Sequence, residues 1–262
     1  MKAVFIPAPA GRDALCIEQR EIFMKILIVN DDSLYAPGIA VLAKAAVAFG
    51  DVTVVAPAQE CSAMSQKLTL RETMTLEKVT DFPVPVCEAW KLGGTPVDCV
   101  KVALEYILEE KPDYVLSGIN NGYNVGYDIS YSGTLGAAFE AARNRIPAAA
   151  FSVTSNAHLE AAESYIPVLV EELLKTPPAE GMVWNVNFPA LAKRPLAGVL
   201  RDRALAPVSL YREQYIPSHQ PDGGLVLTCQ GIPTPEEAIP EGTDAKAVRQ
   251  GYISIGQVRC TG

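Results

Sequence analysis

Asp31 and Asp32 stand side by side in Lys25–Ser33 (KILIVNDDS), directly after the apolar run Ile26–Val29. Two hard anionic oxygen donors that close repel each other unless a cation lies between them. Within a strand they would point to opposite faces, but where the strand gives way to a turn they can converge. Asn-Asp-Asp-Ser is also ordinary turn chemistry, so solvated turn residues are the plain alternative. Ser62 follows a second apolar run, and Asn120 and Asn124 follow a third. All of these offer oxygen, the donor that Mg²⁺ and Mn²⁺ prefer and zinc does not. Ser132-Gly133-Thr134 opens an alanine-rich stretch. At a helix start the unpaired N–H groups face outward, and Gly133 lets a phosphate approach closely. Taken alone, the same triplet is simply a helix N-cap. A carboxylate pair and an anion-binding helix end on one rim point to a phosphoester held between cation and helix.

The elements that must position these groups follow from the pattern. Ile26–Val29 predicts a strand buried on both faces. Pro37 fits a first helical turn and Gly50 a helix end, with Ile39, Leu42, Ala46 and Phe49 on one face. Val52–Ala56 predicts a second strand, and by handedness the βαβ unit makes the two parallel. Ala58–Gln66 is a polar loop at its end, which puts Ser62 beside the Asp pair. Leu68–Leu76 alternates apolar and polar residues and predicts an amphipathic strand. A helix is expected over Val97–Leu108, strands at Tyr114–Ser117 and Ile146–Ser152, a helix over Leu159–Lys175 bent at Pro167, and a strand at Trp184–Phe188. This alternation predicts an α/β fold with a doubly wound, mostly parallel, Rossmann-like sheet over residues 24–196. Ligands of such sheets bind beyond the carboxyl ends of the strands, where all the polar groups above would sit. Residues 197–262 show a looser pattern. Strands at Leu225–Thr228 and Tyr252–Ile255 and a short helix near Asp244–Gln250 make an extension expected to pack on the core or on a partner subunit. Residues 1–23 read as a leader or non-native extension, because Pro7 and Pro9 break an apolar run too short for a signal peptide.

The 262 residues are enough for one large domain with appendages. A net charge of −8 and a sequence pI near 4.9 argue against a broad grip on nucleic acid or an anionic membrane. No apolar run approaches the roughly 18 residues a membrane span needs. Cys16, Cys61, Cys87, Cys99, Cys229 and Cys260 form no CxxC pair and read as reduced, cytoplasmic thiols. His158 and His219, the only histidines, are too few and too scattered for a zinc site or a Ser-His-Asp triad.

Asn30-Asp31-Asp32, Gly94-Thr95-Pro96-Val97-Asp98-Cys99-Val100, Ser117-Gly118-Ile119-Asn120-x-Gly122-x-Asn124 and Tyr131-Ser132-Gly133-Thr134 occur in that order. Together they resemble the SurE (survival protein E) 5′-nucleotidase family, and Asn185-Val186-Asn187 and Gly251-Tyr252-Ile253-Ser254 extend the match. The resemblance implies a divalent-metal-dependent phosphatase acting on nucleoside monophosphates. Cleavage of 3′-nucleotides and short polyphosphate is a further possibility it raises. It places one Mg²⁺ or Mn²⁺ per subunit on Asp31, Asp32, Ser62 and Asn120. It places the phosphate at Asn124 and Ser132-Gly133-Thr134, with Asp31, Asp32 and Asn124 as the catalytic group. It also implies a homodimer or homotetramer in which the C-terminal segment reaches a neighbour. Two positions depart from the pattern: Ser33 stands where the family has glycine, and Gly256-Gln257-Val258 replaces Thr-Pro-Leu near the end. Attack on phosphorus is by a water oriented by Asp31 or Asp32, or by one of these carboxylates directly; water is favoured because a carboxylate engaged on a metal is a poorer nucleophile. A binding protein that holds nucleotide and cation without chemistry is the competing reading. A dinucleotide oxidoreductase is disfavoured by the absence of GxGxxG after the first strand.

Overall fold

The computed structural model describes residues 23–155, 159–190, 196–220 and 223–260. The leader (apart from Phe23) and His158 lie outside them. In chain order, β1 (Met24–Val29), α1 (Pro37–Ala46) and β2 (Gly50–Pro57) are followed by β3 (Leu76–Val79), β4 (Glu88–Leu92), α2 (Pro96–Val102) and β5 (Tyr114–Asn121). Then come α3 (Gly133–Arg143), β6 (Ala148–Val153), α4 (Leu159–Glu163), α5 (Ile166–Lys175) and β7 (Met182–Phe188). β8 (Gly198–Leu200), β9 (Tyr211–His219), β10 (Leu225–Pro233), α6 (Asp244–Arg249) and β11 (Tyr252–Arg259) complete the order.

Nine strands form one sheet in the order β3-β4-β2-β1-β5-β6-β7-β11-β8. From β4 to β7 every neighbouring pair is parallel. β3 runs antiparallel to β4 at one side and β11 antiparallel to β7 at the other. β1 shows why its residues make a central strand. Ile26 and Ile28 pack into the cluster built with α1, α4 and α5, while Leu27 and Val29 pack into the one built with α2 and α3. All four are fully buried, each worth about 1.5–3 kcal/mol. Such a strand belongs in the middle of a two-sided sheet. From β1 the chain moves outward to β2 and β4, then returns to β5 on β1's other side. The crevice between the ends of β1 and β5 is therefore the switch point where such sheets bind ligands.

Several local expectations are corrected. Leu68–Thr75 is not a strand, although it alternates. Its polar positions are drawn away: Thr69 bonds to Asp98, the Lys67 carbonyl accepts from Thr95, and Arg71 takes φ 67°. The edge strand starts only at Leu76. The helix from Pro96 ends at Val102 and continues as one π turn, Ala103–Ile107. Pro167 does not bend a long helix but sits in the first turn of α5, after a break that separates it from α4. Gly50 opens β2 instead of ending α1, which stops at Ala46. The extension after residue 196 is not among these corrections: β8 and β11 join the main sheet, where Ile253 and Ile255 are buried. β9 and β10 stand apart as a two-stranded hairpin.

Candidate functional site: a carboxylate pair at the end of β1

The Asp pair begins where β1 ends. Asn30 donates its amide Nδ2 to the Ser33 carbonyl at 2.9 Å, closing a turn in which Ser33 takes φ 92°. That is left-handed backbone, so the serine occupies a conformation glycine would hold more cheaply. Leu34 N–H then bonds to the Pro57 carbonyl, tying the turn to the end of β2.

Asp31 is almost wholly buried. Its Oδ1 accepts from the Thr134 hydroxyl at 2.5 Å and its Oδ2 from the Thr134 N–H at 3.2 Å. Its own carbonyl accepts from Cys61 N–H at 2.7 Å, which brings the loop after β2 against the turn. Burial pushes the Asp31 carboxyl up to about 6; the Thr134 hydroxyl opposes this, and the charge of Asp32 adds to it. Asp32 is more open. Its Oδ2 accepts from Asn121 N–H at 2.7 Å, and burial, with the nearby charge of Glu60, raises its pKa as well. Two adjacent carboxylates that both resist ionisation mark a place where positive charge is wanted.

The other sequence-predicted residues fall around this pair. Ser62 is exposed and donates its hydroxyl to Glu60 Oε1 at 2.5 Å, which leaves the oxygen lone pairs free to accept. Asn120 commits Nδ2 to the Gly122 carbonyl at 2.8 Å, so the amide oxygen is the end left to present. Ser132 caps α3, its hydroxyl accepting from Leu135 N–H at 3.1 Å. At Gly133 an added Cβ would lie 3.0 Å from both Cβ and Oδ2 of Asp31, so only glycine lets the helix start this close to the carboxylate. Thr134 is fully buried with both donors on Asp31, which makes it a holder of that carboxylate in this arrangement. The N–H of Gly133 keeps no acceptor among the described residues. Asn124 is buried one step away, its Nδ2 on Ser152 Oγ at 2.8 Å and its backbone held by Asn185 and Asn187. The structure thus brings Asp31, Asp32, Asn120, the Ser62 loop and the start of α3 together, and places Asn124 in a polar network beside them. Two carboxylates, a hydroxyl and an amide oxygen fit a hard divalent cation and lack the nitrogen or sulfur that zinc favours.

The Survival protein SurE family profile matches residues 26–206. The chain belongs to the SurE family. It is 41% identical over 243 residues to a 5′-nucleotidase SurE of a Nostoc species, covering 88% of this chain and 91% of that protein. It is 38% identical over 237 residues to a 5′-nucleotidase SurE of Flavobacterium johnsoniae, covering 89% and 90%. A crystal structure of the SurE protein from Aquifex aeolicus superposes with TM-score 0.75 at 33% identity, covering 89% of this chain and 92% of that one.

Three positioning features of this SurE chain escape sequence reasoning. Thr134 reaches Asp31 across 103 positions, and nothing local predicts that pairing. Asp244, read only as part of a short helix, is buried and accepts from the N–H groups of Gly126, Ala206 and Ala245 at 3.0, 2.9 and 2.7 Å. It fixes the loop after β5 to the C-terminal segment, over a small core of Val125, Leu210, Ile239 and Val248. Asn185 and Asn187 carry part of the resemblance, but their place under Asn124 is visible only in the fold.

Proposed function

We propose that this protein is a divalent-metal-dependent phosphomonoesterase that hydrolyses nucleoside 5′-monophosphates. The observation that carries the reading is the buried Asp31 carboxylate, clamped by Thr134 at the start of α3, with Asp32 beside it and the open Gly133 amide one residue away. The family, and relatives at 38% and 41% identity that are named 5′-nucleotidases, support the same reading.

In this reading Asp31, Asp32, Ser62 and Asn120 hold one Mg²⁺ or Mn²⁺. A cation held by these four residues would supply Lewis-acid polarisation of the phosphoryl group and charge neutralisation during in-line displacement. The Gly133 amide meets another phosphoryl oxygen, helped by the positive end of α3. Thr134 keeps Asp31 in one orientation. Asp32, with one oxygen on Asn121 and the other open, orients a water for attack on phosphorus and takes its proton. The bond to the ester oxygen breaks, that oxygen takes up a proton to become the nucleoside hydroxyl, and nucleoside and phosphate leave. Asn124 supports the loop between Asn120 and α3. A second copy of this chain is the reading for the exposed β9–β10 hairpin, and the reduced cysteines favour the cytoplasm; no described helix is long and apolar enough to cross a membrane.

The test is release of inorganic phosphate from a panel of nucleoside monophosphates with Mg²⁺, with Mn²⁺ and with EDTA. Metal-dependent turnover that Asp31→Asn reduces at least 1,000-fold, about 4 kcal/mol of barrier, is the expected result. A protein that binds nucleotide but releases no phosphate with any divalent ion is a binder, and the proposal fails.

A further inference from the structure

Residues 58–75, between β2 and β3, form no helix or strand, yet they are firmly held. The buried Thr95 hydroxyl donates to the Lys67 carbonyl at 2.6 Å. Thr69 gives its N–H and hydroxyl to Asp98 at 3.1 and 2.6 Å, and Asp98 also accepts from Thr95 N–H at 2.9 Å. Thr95 and Asp98 form the capping box of α2, so a helix start anchors this stretch. Further along, Ser65 bonds through N–H to the Tyr131 carbonyl and through its hydroxyl to that of Ser130, at 2.9 and 2.8 Å. The result is an irregular wall fixed at both the α2 and α3 ends.

One side of that wall lines a cavity of about 440 Å³, bounded by Glu60, Cys61, Met64, Lys67, Leu92 and Thr95. The cavity meets the catalytic rim through two contacts already described: Cys61 N–H on the Asp31 carbonyl and the Ser62 hydroxyl on Glu60. On the far side Pro96, next to Thr95, lies 3.3 Å from where a Gly133 Cβ would stand. Among the described residues the Lys67 ammonium has neither an ion pair nor a hydrogen bond. Lys67 and Cys61 line the same cavity, and Cys61 is the residue whose N–H is bonded to the Asp31 carbonyl.

We propose that this cavity receives the nucleoside leaving group, and that Lys67 is the contact that favours nucleotides over smaller phosphoesters. The inference rests on the phosphatase reading above and deepens it. The volume lies within the roughly 300–1,000 Å³ of small-molecule sites. Met64 and Leu92 offer apolar surface to a flat base, while the unpaired ammonium donates to the ring and sugar oxygens and nitrogens that glycerol lacks. Because its backbone is pinned by Thr95, Lys67 enters the cavity from a fixed point, which limits the entropy lost on binding.

The experiment compares kcat/KM for a nucleoside 5′-monophosphate with that for glycerol 2-phosphate, whose leaving group is too short to fill the cavity. It uses the full chain with Mg²⁺ or Mn²⁺. Lys67→Ala removes the contact; Thr75→Trp, at an exposed lining position, fills the space without touching the anchors. Both are expected to lower the nucleotide-to-glycerol-phosphate ratio ten-fold or more, mainly through KM for the nucleotide. A ratio within two-fold of wild type in both variants overturns the assignment while leaving the phosphatase intact. Wild-type protein that releases phosphate from neither substrate overturns both together.

Discussion

The chemistry at the scale of single residues turns on how Asp31 is held. Thr134 gives the Asp31 carboxylate two hydrogen bonds, through its hydroxyl and its N–H, and a bond to a charged group is worth about 1.5–3 kcal/mol. Thr134→Val keeps the shape and the N–H but removes the shorter bond. We expect kcat/KM to fall about 10- to 100-fold, with circular dichroism unchanged; full activity would mean that Asp31 needs no clamp. The raised pKa of Asp31 has a second consequence. A carboxyl moved from 3.8 up to about 6 binds its proton more tightly in the native chain than in the unfolded one. In the metal-free protein its contribution is therefore present below pH 3.8 and lost as pH rises through 6, a change of about 3 kcal/mol. A cation must displace that proton. Titration of Mn²⁺ is expected to show affinity falling about ten-fold per unit below pH 6 and levelling above it. A flat profile from pH 5 to 8 contradicts the assignment.

Among the elements, those that carry the site were legible in the sequence where the pattern was strong. β1 reads as a buried run ending in acids, and its neighbours β2, β5, β6 and β7 have the same character, so the parallel sheet and its switch point follow. Leu68–Thr75 misled because side-chain bonds to the start of α2 outweigh its alternation, and such long-range bonds leave no periodicity. β11 reads as a strand in the sequence, but its place in the main sheet is not legible there, since partner choice depends on contacts more than 60 positions away. Thr134, Asp244 and the buried asparagines were hidden for the same reason: their partners are close only in the fold. Asp244 gives a test at this scale. Asp244→Ala strands three buried N–H groups that now end on the carboxylate, at a cost of about 3 kcal/mol or more. Urea unfolding should show that loss, and KM for nucleotide should rise as the loop after β5 slackens. A stability within 0.5 kcal/mol, the usual range of a surface substitution of about that size, would remove Asp244 from the supporting structure.

Taken whole, the molecule carries a net charge of −8 and must still admit an anionic substrate. The proposed all-oxygen cation site at the sheet's rim would reconcile the two, because attraction is needed only where the phosphate lands. The hairpin is the other whole-molecule feature. Tyr215, Leu225 and Leu227 are 62%, 55% and 55% exposed on β9 and β10, more apolar surface than a two-stranded ribbon leaves to water without a partner. Leu225→Asp combined with Leu227→Asp is expected to convert an oligomer to monomer in sedimentation; an unchanged mass would place the interface elsewhere. The central claim is tested most directly by a crystal of the protein grown with Mn²⁺ and measured at the manganese absorption edge. The account predicts one anomalous peak per chain within bonding distance of oxygens from Asp31, Asp32, Ser62 and Asn120. A peak elsewhere, or none with the four side chains ordered, would contradict it.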